Sequence, residues 1–222
     1  MQICIGIISY LPDKEEVRQV RIARLESLLA QCQQFYKLPI LIVAQNWREG
    51  EISLTEQCHP FYYDKLGITG ARKKLRQLFL QSTYDYIIMV DDDIELFNSA
   101  DSAKYYLSSI QNNPNCIFEY KNYLLNMFGI SRELFEKYEF DDIDPERGEG
   151  FEDWIFVEKV KKDPSYRKIL TLNLIAKERK ELVEDPYSTW ITPETDKKAL
   201  TALSEKLIGK VHHAAPVRDF FC

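Results

Sequence analysis

Apolar and polar positions follow two periods along this chain. Residues 2–9, Gln-Ile-Cys-Ile-Gly-Ile-Ile-Ser, form a nearly continuous apolar run, the pattern of a strand buried on both faces. Pro12-Asp13 ends it. Asp13 and Glu16 have the spacing of a capping box, and Val17, Val20, Arg21, Leu25, Leu28 and Cys32 keep a helical period, predicting a helix of about five turns. Residues 39–44 predict a second strand and Phe61-Tyr62-Tyr63 a short third. Residues 69–82 then return to helical spacing, with Ala71, Leu75, Leu78 and Phe79 on one face and Arg72, Lys73, Lys74 and Arg76 expected on the exposed one. The apolar run Tyr86-Ile87-Ile88-Met89-Val90 follows and ends in Asp91-Asp92-Asp93.

Beyond the triplet, residues 101–111 predict a helix through Ala103, Tyr106, Leu107 and Ile110. Residues 116–118 and 123–130 are strand-like and closely spaced, predicting an antiparallel addition to a parallel half. Ser131 is positioned to cap a short helix. A polar stretch over 141–150 leads to Phe151-Glu152-Asp153-Trp154 and a helix ending near Lys162, then a strand over 169–175. Residues 184–195 predict a long loop carrying Tyr187 and Trp190, and 195–208 a last helix before Gly209-Lys210-Val211-His212-His213 and a tail. The expected class is α/β, a Rossmann-like mixed sheet flanked by helices. One domain is expected over 1–183, with halves of about 1–98 and 99–183, and a C-terminal extension over 184–222 that completes the site.

Bulk composition narrows the class. With 45% hydrophobic and 29% charged residues, the chain reads as an ordinary globular protein, and no apolar run reaches the roughly 18 residues of a spanning helix. Residues 1–10 lack a basic n-region and a small-residue cleavage site, so a cytoplasmic location is expected. Cys4, Cys32, Cys58, Cys116 and Cys222 show no C-x-x-C spacing, which argues against a zinc site or a disulfide framework. A net charge of −6 argues against broad nucleic-acid binding.

The triplet is the strongest chemical signal. Three carboxylates at the end of a buried strand repel one another and lose hydration, a cost offset by a hard divalent cation such as Mg²⁺ or Mn²⁺. Because i and i+2 on a strand project to one side, Asp91 and Asp93 are expected to act as a pair. An acidic turn capping the next helix is the plainer alternative. Gly67-Ile68-Thr69-Gly70-Ala71-Arg72 opens a basic helix whose free amides, dipole and Arg72 suit a phosphate, against a merely solvated basic face. Ser9-Tyr10 ends the first strand, where open α/β sheets bind ligands. Glu152-Asp153 offers a general base, or simply acids at a helix N-terminus. His212-His213 could add imidazole to a Mn²⁺ site, or stand exposed.

Taken together, these segments resemble the GT-A fold glycosyltransferases, especially the family 2-like enzymes, over residues 2 to about 160. Asp91-Asp92-Asp93 is similar to the Asp-x-Asp motif that holds a divalent metal and the donor's ribose and diphosphate. The resemblance implies Asp93 as the metal ligand with Asp91 as partner, and Asp92 toward the nucleotide's sugar or in a structural role. Gly70-Ala71-Arg72 resembles the segment beside the nucleotide, although Lys73 stands where Asn is common. Residues 126–132 resemble the acceptor-side strand. Glu152-Asp153 resembles the family's Glu-Asp pair, which implies Asp153 as base, and His212 or His213 resembles a late metal-binding His.

The resemblance implies transfer of a sugar from a nucleotide-diphosphate donor, a UDP-sugar by expectation, to an acceptor hydroxyl by inverting direct displacement. Glycan, protein, small molecule and modified nucleobase all stay open as acceptor. Two alternatives carry different expectations. A nucleotidyltransferase that makes nucleotide sugars normally opens with a Gly-rich basic loop, where Ser9-Tyr10-Leu11-Pro12 stands here. A non-catalytic module would use the triplet only to bind metal or a partner.

Overall fold

The computed structural model describes residues 1–96, 100–113, 116–120, 127–141, 152–164, 167–171 and 176–178. The strand β1 (Ile3–Tyr10) is followed by α1 (Glu15–Phe35), β2 (Ile40–Gln45), β3 (Cys58–Tyr63), α2 (Gly67–Gln81) and β4 (Tyr86–Asp91). Then come β5 (Ile94–Leu96), α3 (Ala100–Asn112), β6 (Cys116–Tyr120), β7 (Met127–Ser131) and α4 (Arg132–Lys137). The described elements end with α5 (Glu152–Val160), β8 (Arg167–Thr171) and β9 (Ala176–Glu178).

Seven strands form one sheet in the order β3-β2-β1-β4-β7-β6-β8. The first four run parallel, β7 is antiparallel to both β4 and β6, and β8 is parallel to β6. β5 and β9 make a separate antiparallel pair. The mixed sheet expected from the sequence is present, and the chain turns from β3 back across to β4 on the other side of β1. That reversal makes the β1/β4 boundary the switch point at which such sheets bind ligands.

Burial explains why the strands lack alternation. Ile5, Ile7, Ile40, Ile42, Tyr86 and Ile88 pack in one core beneath α1 and α3. Cys4, Leu41, Val43, Ile87 and Met89 pack in a second with Ala71, Leu75 and Phe79 of α2 and Phe135, Phe140 and Phe156. Close approach of α2 to the sheet depends on Gly6, where an added Cβ would lie 2.6 Å from Ile87 Cδ1 and 2.9 Å from Leu75 Cδ2.

Several local expectations change. The capping box does not form: Lys14 is the N-cap of α1 without a side-chain bond, and Asp13 Oδ1 instead accepts from Asn46 Nδ2 at 3.0 Å. The buried stripe of α1 is Arg24, Leu25, Leu28, Leu29 and Cys32, while Val20 is exposed. The valine fitted the period, but it lies before the point where the helix meets the sheet. Nor is Arg72 on a solvated face of α2, since it is buried. Arg76 Nε donates to the carbonyls of Phe135 and Tyr138 at 2.8 and 3.0 Å. Ser131 caps α4 as expected, accepting from the Leu134 amide at 3.3 Å. The expected loop over 184–195, with Tyr187 and Trp190, and the helix over 195–208 lie outside the described residues.

Candidate active site at the ends of β1 and β4

β1 and β4 are parallel neighbours with Ile8 opposite Asp91, so Ser9 and the acidic triplet reach the same edge of the sheet. β4 ends at Asp91, and Asp92-Asp93 form a turn into β5 rather than the start of a helix. This removes the helix-capping alternative, since α3 begins only at Ala100. It also undoes the i, i+2 pairing, which requires the strand to continue through Asp93.

Asp91 turns toward α2. Arg72 Nη2 donates to its two carboxylate oxygens at 3.2 and 3.4 Å. Arg72 Nε also lies 2.9 Å from Glu152 Oε1 on α5, an ion pair that is close without being aligned as a hydrogen bond. The Arg72 and Glu152 side chains are only 4% and 3% exposed, against 24% for Asp91, so solvent reaches this network from the Asp91 end. The guanidinium also stands 5.9 Å from the Phe140 ring centroid, within cation–π range.

Asp92 turns the other way. Its Oδ2 accepts from Ser9 Oγ at 2.6 Å, and Arg21 Nη1 of α1 lies 3.3 Å from Oδ1. Asp93 sits deeper. Its Oδ1 is sequestered and has no hydrogen-bond partner among the described residues. Burial, and then the neighbouring Asp92 charge, push the Asp93 carboxyl above its ordinary range, while Arg24, Arg21 and its own backbone amide pull it down. A buried carboxylate oxygen lacking a donor is the group a hard cation satisfies. Among the described residues, Asp93 Oδ1 is the atom of this turn that is open to a divalent metal. Among the described residues no cluster of three His, Cys, Asp or Glu side chains forms a complete set, and His212 and His213 lie outside them.

The remaining predicted residues are spread around this turn. Tyr10 ends β1 with Lys65 Nζ 5.4 Å from its ring centroid. Gly70 lies one turn inside α2, which starts at Gly67 with a positive φ of 71° and has no side-chain cap. Gln45 Oε1 instead accepts from the Leu66 amide at 2.9 Å, just before the helix. Glu152 is the first residue of α5 and Asp153 the second; the Asp153 side chain, like the whole of 142–151, is not among those described.

Sequence reasoning missed Arg21 and Arg24. Arg21 was counted in the apolar stripe of α1, and Arg24 had no role. The signal was available: arginines at 18, 21 and 24, every third residue, on a helix that must pack beside an acidic strand end.

No protein-family model matches the sequence, and no curated protein is significantly similar to it. Solved structures do match. A mannosyltransferase from Pyrobaculum calidifontis, PcManGT, in complex with GDP-Man and Mn²⁺, aligns over 99% of this chain and 67% of its own at 13% identity, with a TM-score of 0.62. TarS of S. aureus aligns over 96% of this chain but only 41% of its own length, at 12% identity and a TM-score of 0.58. A CMP:2-keto-3-deoxy-manno-octonic acid synthetase complexed with CTP aligns over 83% and 96%, at 8% identity and a TM-score of 0.58. What these similarities show is the fold: the chain has the mixed α/β GT-A fold that these transferase and synthetase structures share.

Proposed function

We propose that this protein is a metal-dependent glycosyltransferase, moving a sugar from a nucleotide-diphosphate donor, a UDP-sugar by first choice, to an acceptor hydroxyl. The observation that carries this reading is the acidic turn at the β1/β4 switch point, with Asp93 Oδ1 sequestered and Glu152 drawn to Asp91 through Arg72. The donor belongs at this edge, with Ser9, Tyr10, Asp92 and the uncapped first turn of α2 around its nucleotide and diphosphate. Residues 1–98 make the nucleotide-binding half, 99–183 the acceptor-binding half, and 184–222 complete the site.

Asp93 would hold Mn²⁺ or Mg²⁺, with Asp91 at the opposite end of the turn and His212 or His213 as further ligands; bound there, the ion would offset charge on the departing nucleoside diphosphate. Asp153, the second residue of α5, would take the acceptor's proton during inverting displacement. Glu152 is committed to Arg72 and is a positioning residue in this reading rather than a second base. The nucleotidyltransferase alternative is disfavoured locally. The β1–α1 connection has no glycine, and it is pinned by the Leu11 amide on the Gln45 carbonyl at 3.0 Å and by Asn46 Nδ2 on the Leu11 carbonyl at 2.7 Å.

The test is a screen of nucleotide sugars with Mn²⁺, read as nucleoside diphosphate release and as thermal shift. A nucleotide at 100 times its dissociation constant adds about 2.7 kcal/mol to stability. Asp153→Asn should abolish turnover and keep the donor-dependent shift. Pyrophosphate release from a nucleoside triphosphate and a sugar phosphate would move the assignment to nucleotidyl transfer. No shift with any nucleotide would leave the non-catalytic module.

A further inference from the structure

The start of α5 is held from α2 by a buried arginine. Arg72 Nε lies 2.9 Å from Glu152 Oε1, and Arg72 Nη2 lies 3.2 Å from Asp91 Oδ1, so one guanidinium joins the first residue of α5 to the last residue of β4. α5 has a second anchor one turn further on. The fully buried Phe156 ring stacks on Phe140 with centroids 4.4 Å apart and meets Phe135 at 5.4 Å. Glu152 and Phe156 are four residues apart, so both anchors lie on one face of the helix. Arg76, one turn along α2 from Arg72, donates to the carbonyls of Phe135 and Tyr138 and so fixes the segment that leads to Phe140. The aromatic stack sets where α5 sits, and the ion pair holds its first turn, the part of a helix that otherwise frays. An arginine enclosed in this way is poorly placed to grip a donor phosphate, because it would have to leave both carboxylates.

We propose that Arg72 and Glu152 form a tie that positions Asp153 relative to the end of β4, and that neither side chain binds the donor. The proposal rests on the reading of Asp153 as base given above. Asp153 follows Glu152 in the first turn of α5, so the tie fixes the backbone that carries it. Through Asp91, the same tie refers that backbone to the turn where the donor belongs. Arg72 and Glu152 are positioning residues: they act on the reaction through Asp153. A displacement of about 1 Å in a reacting group costs on the order of a hundredfold in rate, so loss of the tie should be read in kcat.

The test uses the full chain, Mn²⁺ and whichever of UDP-glucose and GDP-mannose wild type hydrolyses, with nucleoside diphosphate release giving kcat and calorimetry giving the dissociation constant of the matching UDP or GDP. Glu152→Met should lower kcat about a hundredfold and leave the nucleotide dissociation constant unchanged. Glu152→Gln keeps an oxygen facing Arg72 Nε and should stay near wild type in both. Hydrogen exchange over residues 152–157 should quicken in Glu152→Met and not in Glu152→Gln, a readout that needs no turnover. A folded Glu152→Met with wild-type kcat or wild-type exchange overturns the proposal and leaves the transferase reading intact. So does an Arg72→Met protein that keeps kcat while its nucleotide dissociation constant rises about tenfold, the result expected of a direct phosphate contact. Should Glu152→Met fail to fold, the double variant Arg72→Met/Glu152→Met must show the same fall in kcat, and its absence overturns the proposal. If wild type releases nucleoside diphosphate from neither sugar nucleotide and binds neither UDP nor GDP, the transferase reading fails and the positioning role fails with it.

Discussion

Replacing Arg72 by Met isolates the ion network that links β4, α2 and α5. Methionine roughly preserves the volume of the stem, so the main change is loss of charge. Glu152, with its side chain 3% exposed and its Oε1 2.9 Å from Arg72 Nε, then keeps a buried carboxylate from which the guanidinium has been removed. Asp91 suffers less, because at 24% exposure water can replace part of the lost contact. Removing one partner of a buried pair costs about 3–5 kcal/mol, far above the 0–1 kcal/mol typical of exposed pairs. For a chain of this size that is a fall in Tm of roughly 6–20 °C. The assay is urea denaturation of wild type, Arg72→Met, Glu152→Met and the double variant. Two apolar side chains leave no orphaned charge at Glu152, so the double variant should be more stable than Arg72→Met alone. An Arg72→Met protein within about 1 kcal/mol of wild type would refute the reasoning and return Arg72 to a solvated role.

Two further outcomes concern the core. Gly129→Ala should destabilise by about 1–3 kcal/mol in the same assay, because the new Cβ would lie 2.6 Å from Cε1 and 2.7 Å from Oη of Tyr86, a fully buried ring with no room to retreat. A neutral substitution would mean that β7 shifts freely against β4. Burial, with a smaller contribution from Cys58, pushes the Cys32 thiol from 9.0 up to about 12. Below pH 9.0 the thiol is protonated in both states, whereas above it only the unfolded chain ionises, so stability should fall as pH rises from 9.0 toward 12. Urea midpoints at neutral pH and near pH 11 check this, and Cys32→Ser should reduce the fall. A flat profile would show that the thiol is not sequestered.

Much of the fold was legible because its determinants are local or strongly periodic. The unbroken apolar runs at 2–9 and 86–90 could only be strands covered on both faces, and Ser131 advertised its cap by residue type alone. The errors fall where a tertiary partner decided the outcome. Asp13 had capping-box spacing, yet Asn46, with a φ of 59°, offered its side-chain amide instead. Val20 fitted a helical period, but it precedes the point where α1 meets the sheet. β3 was read as three residues and spans Cys58–Tyr63, because Cys58, His59 and Pro60 gain their strand geometry from pairing with β2 rather than from their own propensity.

The site was half legible for a deeper reason. Acidic residues stand out in a sequence as a cluster, whereas the cations that balance them arrive from elsewhere in the fold. From the triplet alone, the repulsion among Asp91, Asp92 and Asp93 demands an external cation; Arg72 and Arg21 offset it at Asp91 and Asp92, while burial and the Asp92 charge still push Asp93 above its ordinary range. The case for a metal therefore narrows to Asp93. It rests on Asp93 Oδ1, which is sequestered and receives no donor from the described residues even though guanidinium charge is close by. Arginine supplies charge compensation through space, but a hydrogen bond requires a donor aimed at the oxygen, and none of the described donors is. Two properties that the sequence presents as one are thereby separated: charge, which arginines offset at Asp91 and Asp92, and coordination, which the described residues leave open at Asp93 Oδ1.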